Sequence, residues 1–291
     1  MQHYGYAMGV TGSIDFFHAI AGLLVGLLVG LTGVGGGSLM TPLLVLLFGV
    51  SAKTAVGTDL LFAAVTKIAG SAVHGSRESV EWKIVRRMAM GSVPAAVVTL
   101  LVMARMGSVG KSTEHVILLS LACLLALTSL AVIGRKWLFR HAHDGAAQRS
   151  PMVELGGTIA LGALIGVAVS VSSVGAGAIG VTVLFVLYPR LPVARIVGSD
   201  IAHAVPLTLI AGTGHWIMGD VNGTLLTNLL IGSIPGVVVG SYLSSRAPDK
   251  VLQPLLAAVL AVSSWQLFVK ANAPDKVKVD VIAPAKAAEV R

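Results

Sequence analysis

Apolar segments of membrane-spanning length recur along this chain. Six of them contain about 20 residues each, the length that a helix needs to cross the hydrocarbon core of a bilayer; they are 14–31, 84–104, 116–133, 155–171, 225–243 and 251–269. Two more, 55–73 and 196–215, are long enough but carry ionisable groups, and two others, 39–50 and 179–188, are too short to cross. The sequence therefore predicts an all-α polytopic membrane protein with ten helical segments.

The composition supports this class. Of the 291 residues 55% are hydrophobic and 12% are charged, against roughly 25% charged in soluble domains. The net charge of +8 does not indicate nucleic acid, because Lys and Arg are concentrated in short loops such as 77–87 and 135–149. The single cysteine, Cys123, lies inside an apolar segment, so we expect a small core residue rather than a disulfide or a Cys-based metal site.

The distribution of cations predicts the orientation. The loops of the opposite side contain only Lys53, Arg105 and Lys111, so the positive-inside rule places the Lys- and Arg-rich loops in the cytoplasm. The protein is thus predicted to be a multi-pass protein of the inner membrane with an external N-terminus. Parity also places the tail after residue 270 outside, although that tail contains several Lys and Arg residues.

The two halves of the chain repeat each other at an offset of about 140 residues. The matching elements, in order, are 33–37 with 173–177, 56–59 with 197–200, His74 with His215, and 91–94 with 232–235. The loop after His74 is rich in Lys and Arg, whereas the charged residue of the loop after His215 is Asp220. Equivalent loops therefore lie on opposite faces of the membrane, which predicts two inverted-topology repeats of about five segments each.

These features divide the chain into four parts. We predict a first membrane repeat over 1–133, a cytoplasmic linker over 134–151, a second membrane repeat over 152–270 and a polar C-terminal tail over 271–291. In each repeat a short helix, either crossing or re-entrant, follows a glycine-rich turn.

The chain resembles the TauE/SafE family of sulfite and organosulfonate exporters. The resemblance covers residues 16–269 and rests on the glycine-rich turn after the first span, the Val-Gly-Thr-Asp element at 56–59 and their second-half copies. It implies a secondary transporter that exports a small sulfur-containing anion, without a cofactor and without enzymatic activity. Membrane lipids and the anion are the expected partners, and a homo-oligomer is left open. An anion channel is the nearest alternative; an intramembrane enzyme is a weaker one, since the sequence contains no recognisable nucleophile and base or metal-ligand motif.

The glycine-rich turns are candidate anion sites. Irregular backbone inside a bilayer is tolerated where it faces protein or a water-filled cavity, and a helix N-terminus presents free N–H groups and a positive dipole to an anion. The predicted substrate-binding residues of the turns are Gly35, Gly36, Gly37, Ser38, Ser173, Gly175, Ala176 and Gly177. The alternative is helix packing, which we expect for glycines spaced by four residues, such as Gly22, Gly26 and Gly30, and Gly162 and Gly166.

Four of the ionisable residues within the predicted spans are candidate functional residues. Lys67 is predicted to attract the anion, and the alternative is that it extends to the cytoplasmic surface. Asp59 and Asp200 are candidates for ion coupling; alternatively they begin helices capped by Thr58 and Ser199. His203, one turn beyond Asp200, suggests a proton relay, with a structural histidine as the alternative. No metal site is predicted.

Overall fold

A computed structural model gives the fold of residues 15–32, 37–74, 80–105, 111–144, 150–175, 177–243 and 249–273. These residues form ten α-helices and no strand. The helices are α1 (Phe16–Thr32), α2 (Gly37–Leu46), α3 (Ala52–His74), α4 (Trp82–Arg105), α5 (Lys111–Asp144), α6 (Pro151–Ser172), α7 (Ala178–Leu187), α8 (Val193–Ile217), α9 (Gly223–Leu243) and α10 (Asp249–Ala271). The ten predicted segments are confirmed as helices.

Six of these helices, α4, α5, α6, α8, α9 and α10, are long and apolar enough to cross a membrane. Their outward sides carry large exposed apolar side chains, for example Leu130, Leu164 and Trp265, which suit contact with lipid chains. A helix can continue past the bilayer, and α5 does so: it extends to Asp144, so the first part of the predicted linker is helical. The chain is an all-helical, multi-pass membrane protein.

The prediction that Cys123 is a core residue was wrong. This residue is exposed and lines an apolar groove of about 790 Å³ between α5, α6 and α7. The reason is that α5 is apolar on every side, so its sequence does not distinguish a side chain that faces the protein from one that faces lipid.

Glycines let two pairs of helices approach closely, as predicted. Gly22 and Gly26 of α1 pack on the backbone of α9 at Leu229 and Ser233, and Gly162 and Gly166 of α6 pack on α4 at Met88 and Ser92. The two sets of contacts are related by the repeat offset. The first helix of each half thus packs on the fourth helix of the other half.

We expect Gly162→Val to reduce the amount of folded protein. The added side chain would collide with the Met88 backbone, and forcing extra atoms into a packed interface typically costs about 2 kcal/mol. Gly156→Val is the matched control, because Gly156 lies on the same helix with open space around it. Thermal unfolding of the purified proteins in detergent measures the difference, and equal stability of the two variants would contradict the packing role.

Helices α3 and α8 lie side by side in opposite directions. The Thr58 hydroxyl on α3 accepts a hydrogen bond from Asn222 N–H at 3.2 Å, just after α8 has ended. The Ser199 hydroxyl on α8 accepts one from Glu81 N–H at 2.8 Å, just beyond the end of α3. Each hydroxyl therefore binds the residue that precedes the fourth helix of the other half.

These contacts correct the capping prediction. Helix α3 begins at Ala52 and α8 at Val193, so Thr58 and Ser199 lie inside the helices and do not cap them. Asp59 and Asp200 are then about two turns from the helix starts. The hydroxyls that seemed suited to capping instead join the two halves of the protein.

Candidate functional site

The second glycine-rich turn breaks the chain between α6 and α7. Ser173, Gly175 and Gly177 have positive φ angles of 60°, 123° and 127°, a region that glycine adopts without the steric cost borne by other residues. The chain can therefore stop one helix and start another within a few residues. The predicted break is confirmed, and α7 begins directly after it at Ala178.

The first turn is described only at its end. Gly35 and Gly36, as well as Ala176 of the second turn, lie outside the described residues. Helix α2 begins at Gly37, and Ser38 in its first turn is buried. At the far end of α2 the Lys270 ammonium donates to the Val45 carbonyl at 2.8 Å, where a cation suits the negative end of the helix dipole.

Asp59 joins the short helix α2 to the second turn. Its carboxylate accepts a hydrogen bond from the Thr41 hydroxyl on α2. The Ser173 hydroxyl faces the same carboxylate, although its geometry is outside that of a hydrogen bond. The other carboxylate oxygen, Oδ1, is buried and has no hydrogen-bond partner among the described residues. A buried carboxylate with a free oxygen is unfavourable unless it serves a further interaction.

Asp200 occupies a comparable position in the second half. Its Oδ1 atom lies against Gly180 in the first turn of α7, so closely that a Cβ at Gly180 would collide with it. This oxygen, too, is buried without a hydrogen-bond partner in the described part of the chain. Each aspartate thus lies beside the N-terminal part of the short helix of its own half, where the helix dipole favours negative charge.

Lys67 lies within electrostatic range of both aspartates. Its side chain is 8% exposed and interacts electrostatically with Asp200 and, less strongly, with Asp59. It forms an ion pair with neither carboxylate. The side chain is therefore buried in the protein and does not extend along an exposed surface, as the alternative interpretation required.

His203 is buried on the same side of α8. Its Nε2 atom is 2.7 Å from the Ser92 hydroxyl of α4, and its Nδ1 atom has no hydrogen-bond partner among the described residues. The predicted relay would need a contact between Asp200 and His203, and no hydrogen bond joins them here. The electrostatic partner of His203 is Lys67.

We call Asp59, Lys67, Asp200 and His203 the central charged cluster. Sequence reasoning found its four members but missed the three residues that contact them, Thr41, Gly180 and Ser92. A polar residue inside the short apolar α2 was a signal for Thr41, and the repeated Gly-Ser-x-Pro element was a signal for Ser92. In the described part of the chain no group of three His, Cys, Asp or Glu side chains has the arrangement of a metal site.

Comparison with known proteins now identifies the family. Residues 18–267 match the family model described as "Sulfite exporter TauE/SafE". The chain is 37% identical over 250 residues to the "Probable membrane transporter protein YjnA" of Bacillus subtilis, an alignment that covers 86% of this chain and 98% of that protein.

More distant relatives carry similar names. The "Probable membrane transporter protein YdhB" of Bacillus subtilis is 24% identical over 84% of this chain and 96% of its own length. A "Probable membrane transporter protein" of Haemophilus influenzae is 25% identical over 86% of this chain and 97% of its own length. No solved structure matches the chain. The match over nearly all ten helices, together with these relatives, shows that the chain belongs to the TauE/SafE family of membrane transporters.

Proposed function

We propose that this protein is a secondary transporter that exports a small sulfur-containing anion, such as sulfite or an organosulfonate. The observation that carries the proposal is the buried Lys67, which interacts electrostatically with two carboxylates that lie beside the N-terminal parts of α2 and α7. A cation is costly inside a membrane protein and marks an ion or substrate path in most cases. The family description supplies the substrate class.

The anion is proposed to bind between Lys67 and the glycine-rich turns. Gly37, Ser38, Ser173, Gly175 and Gly177 supply or position N–H groups at the starts of α2 and α7, and Lys67 supplies the charge. Helix α2 and the second turn meet at Asp59, which contacts Thr41 of α2 and faces Ser173 of that turn. Gly35, Gly36 and Ala176 complete the proposed site, outside the described residues.

The two aspartates suggest how transport is driven. When Asp59, Lys67 and Asp200 are all ionised the three side chains have a formal charge of minus one, so a bound anion would raise the negative charge further. Uncompensated charge in a low-dielectric interior is strongly unfavourable. Binding of the anion should therefore favour uptake of a proton by a carboxylate. We propose Asp59, Asp200 and His203 as the residues that couple proton and anion movement.

We further propose that the two halves are inverted repeats that exchange access between the two sides of the membrane. The support comes from paired contacts. Helix α1 packs on α9 as α6 packs on α4, and Thr58 contacts Asn222 as Ser199 contacts Glu81. Because α3 and α8 are antiparallel, the contact of Thr58 with Asn222 and the contact of Ser199 with Glu81 lie at opposite ends of the bundle. Alternating access in many transporters is movement of one repeat against the other around a fixed central site.

Two repeat-equivalent positions test this topology. Lys83 and Thr224 are both exposed, lie near the starts of α4 and α9, and differ by the repeat offset. In a Cys123→Ser background we expect Lys83→Cys to react with an impermeant thiol reagent from the cytoplasmic side and Thr224→Cys from outside. Labelling of both from one side would exclude inverted repeats.

Flux into proteoliposomes tests the function itself. The purified protein should accumulate radiolabelled sulfite or a sulfonate with a rate that saturates as the anion concentration rises, and an imposed proton gradient should change the rate. Flux that never saturates and ignores the gradient would favour the anion channel. Protein-free liposomes are the control. No flux of any tested anion would contradict the proposed substrate class.

A further inference from the structure

A second buried charged group lies at the end of α8, away from the central charged cluster. It consists of Lys53, Ser170, His215 and Asp220, which we call the His215 network. Lys53 Nζ is 3.0 Å from Asp220 Oδ1, and His215 Nδ1 is 3.1 Å from Asp220 Oδ2. On the other side of the imidazole ring, Nε2 is 2.9 Å from the Ser170 carbonyl oxygen. The His215 side chain has no exposed surface.

These distances determine where protons must be. A carbonyl oxygen accepts hydrogen bonds and cannot donate them, and the same is true of an ionised carboxylate. Both ring nitrogens of His215 therefore face acceptors. A neutral imidazole has one N–H group, so it would leave one nitrogen lone pair directed at an oxygen. Both contacts are satisfied as hydrogen bonds when His215 carries a proton on each nitrogen, and Lys53 Nζ faces the other carboxylate oxygen of Asp220.

Few other groups face the network. Helix α3 contributes the Lys53 side chain, and its backbone packs against the network at Gly57. A Cβ atom at Gly57 would lie 2.8 Å from the Asp220 carbonyl oxygen and 3.1 Å from His215 Cβ, so this position has no room for a side chain. Helix α6 contributes Ser170, whose hydroxyl is buried without a hydrogen-bond partner among the described residues. The charged side chains near His215 in the described structure are thus Asp220 and Lys53, whose charges cancel each other.

The network joins the two halves of the protein through Lys53 and Asp220, and its proposed role rests on the movement of one half against the other under the proposed function. Lys53 is in the first turn of α3, His215 in the last turn of α8, and Asp220 precedes α9. Ser170 lies three residues before Ser173, which faces Asp59. At the repeat-equivalent positions stand Ala194 in the second half, which matches Lys53, and Ser79 in the first half, which matches Asp220. The ion pair at the opposite end is a different one, Arg195 with Glu81 at 3.7 Å, and it is far more exposed than the His215 network.

We propose that the His215 network is a proton-binding latch that holds this end of the bundle closed. The protonated imidazole bonds α6 to the segment before α9, and Lys53 bonds that segment to α3. Loss of the proton removes one of the two histidine hydrogen bonds and leaves a nitrogen lone pair facing an oxygen, which weakens the closed state. Opening at this end is thereby linked to deprotonation of His215, independently of which anion is carried.

The protonation state is measured directly by nitrogen NMR of the full-length protein in lipid nanodiscs, with ¹⁵N-labelled histidine. The chain contains eight histidines, and the signals that disappear in His215→Gln identify the residue. We expect both ring nitrogens of His215 to be protonated in the closed state, at about pH 6. A neutral tautomer at about pH 6, with one unprotonated nitrogen, would overturn the proposal.

Thiol accessibility tests whether the latch opens. Ser170→Cys, in a Cys123→Ser background, places a thiol under the closed latch. Relative to the exposed Thr224→Cys, which corrects for the pH dependence of the reagent, it should react about tenfold faster at about pH 8.5 than at about pH 6. The same pH dependence for both cysteines would overturn the proposal.

A second variant separates the latch from simple burial. In Asp220→Asn the amide keeps the shape of the carboxylate but has no charge, so the protonated form of His215 loses its ionic partner. Ser170→Cys should then react rapidly at both pH values. Slow, pH-independent labelling in this variant would show that the network does not control opening. Neither measurement uses flux. A wrong anion specificity would therefore not contradict the latch proposal, and a wrong latch proposal would not contradict the anion specificity.

Discussion

Lys67→Met is expected to abolish saturable anion flux, with a loss of at least about 100-fold, since removing one member of a buried charged group commonly costs several kcal/mol. Methionine has a similar length and an apolar tip, so it fills the space of the lysine stem. The anion loses its cation, and Asp59 and Asp200 lose their electrostatic partner. The measurement is the initial rate of flux into proteoliposomes, normalised to the amount of folded protein.

A double variant separates binding from charge balance. Lys67→Met combined with Asp200→Asn loses one cation and one anion, so it keeps the wild-type formal charge of the Asp59, Lys67 and Asp200 side chains. Because Asp200 is itself a proposed coupling residue, the readout is anion binding by ligand-induced thermal shift and not flux. If Lys67 binds the anion, the double variant folds but does not bind it; if Lys67 only balances the aspartates, the double variant binds the anion, and the binding role is wrong. Lys83→Met, at an exposed position of α4, should transport like the wild type.

Gly177→Val is expected to weaken anion binding by more than about tenfold, because a shift of even 1 Å breaks hydrogen bonds that are made at close distance. Gly177 precedes α7 with φ 127° and ψ −97°, a conformation that a β-branched residue adopts only with strain. The backbone must therefore move, and with it the N–H groups at the start of α7. Ligand-induced thermal shift with sulfite or a sulfonate measures the affinity.

Gly49→Val controls for strain alone. Gly49 also has a positive φ, 64°, but it lies in an exposed turn with nothing near the position of a Cβ. We expect it to lower stability by about 1–3 kcal/mol while the surviving protein binds the anion with wild-type affinity. If Gly177→Val binds as tightly as Gly49→Val, the turns are not the anion site, and the contacts around Asp200 and His203 become the next candidates.

The helices were predictable because a bilayer leaves the backbone little choice. With no water to bond, a crossing segment must satisfy its N–H and C=O groups internally, so each apolar segment becomes a helix. The glycine-rich composition of 173–177 also predicted a break in the helix. A glycine-rich stretch can adopt several positive φ angles within five residues, as this one does. The packing role of Gly162 also followed from its four-residue spacing.

The sequence also determined which residues are unusual, but not what they contact. Lys67 and Asp59 are eight residues apart, about 12 Å along one helix, so their spacing did not predict that Lys67 interacts with two carboxylates. The second carboxylate, Asp200, comes from α8, and the antiparallel packing of α3 and α8 brings it within electrostatic range of Lys67. The same packing converted Thr58 and Ser199 from predicted caps into links between the halves.

The burial of His215 and the exposure of Cys123 could not be predicted from the sequence. An apolar residue on a membrane helix suits the protein interior and the lipid equally, so the apolar segment around Cys123 predicted a core residue, although Cys123 is exposed. His215 lies in the last turn of α8, yet it is fully buried. Its neighbours Ser170 and Lys53 are distant in sequence. Local pattern sets helix and break positions, whereas partners of a buried charge depend on helices that meet only in the folded bundle.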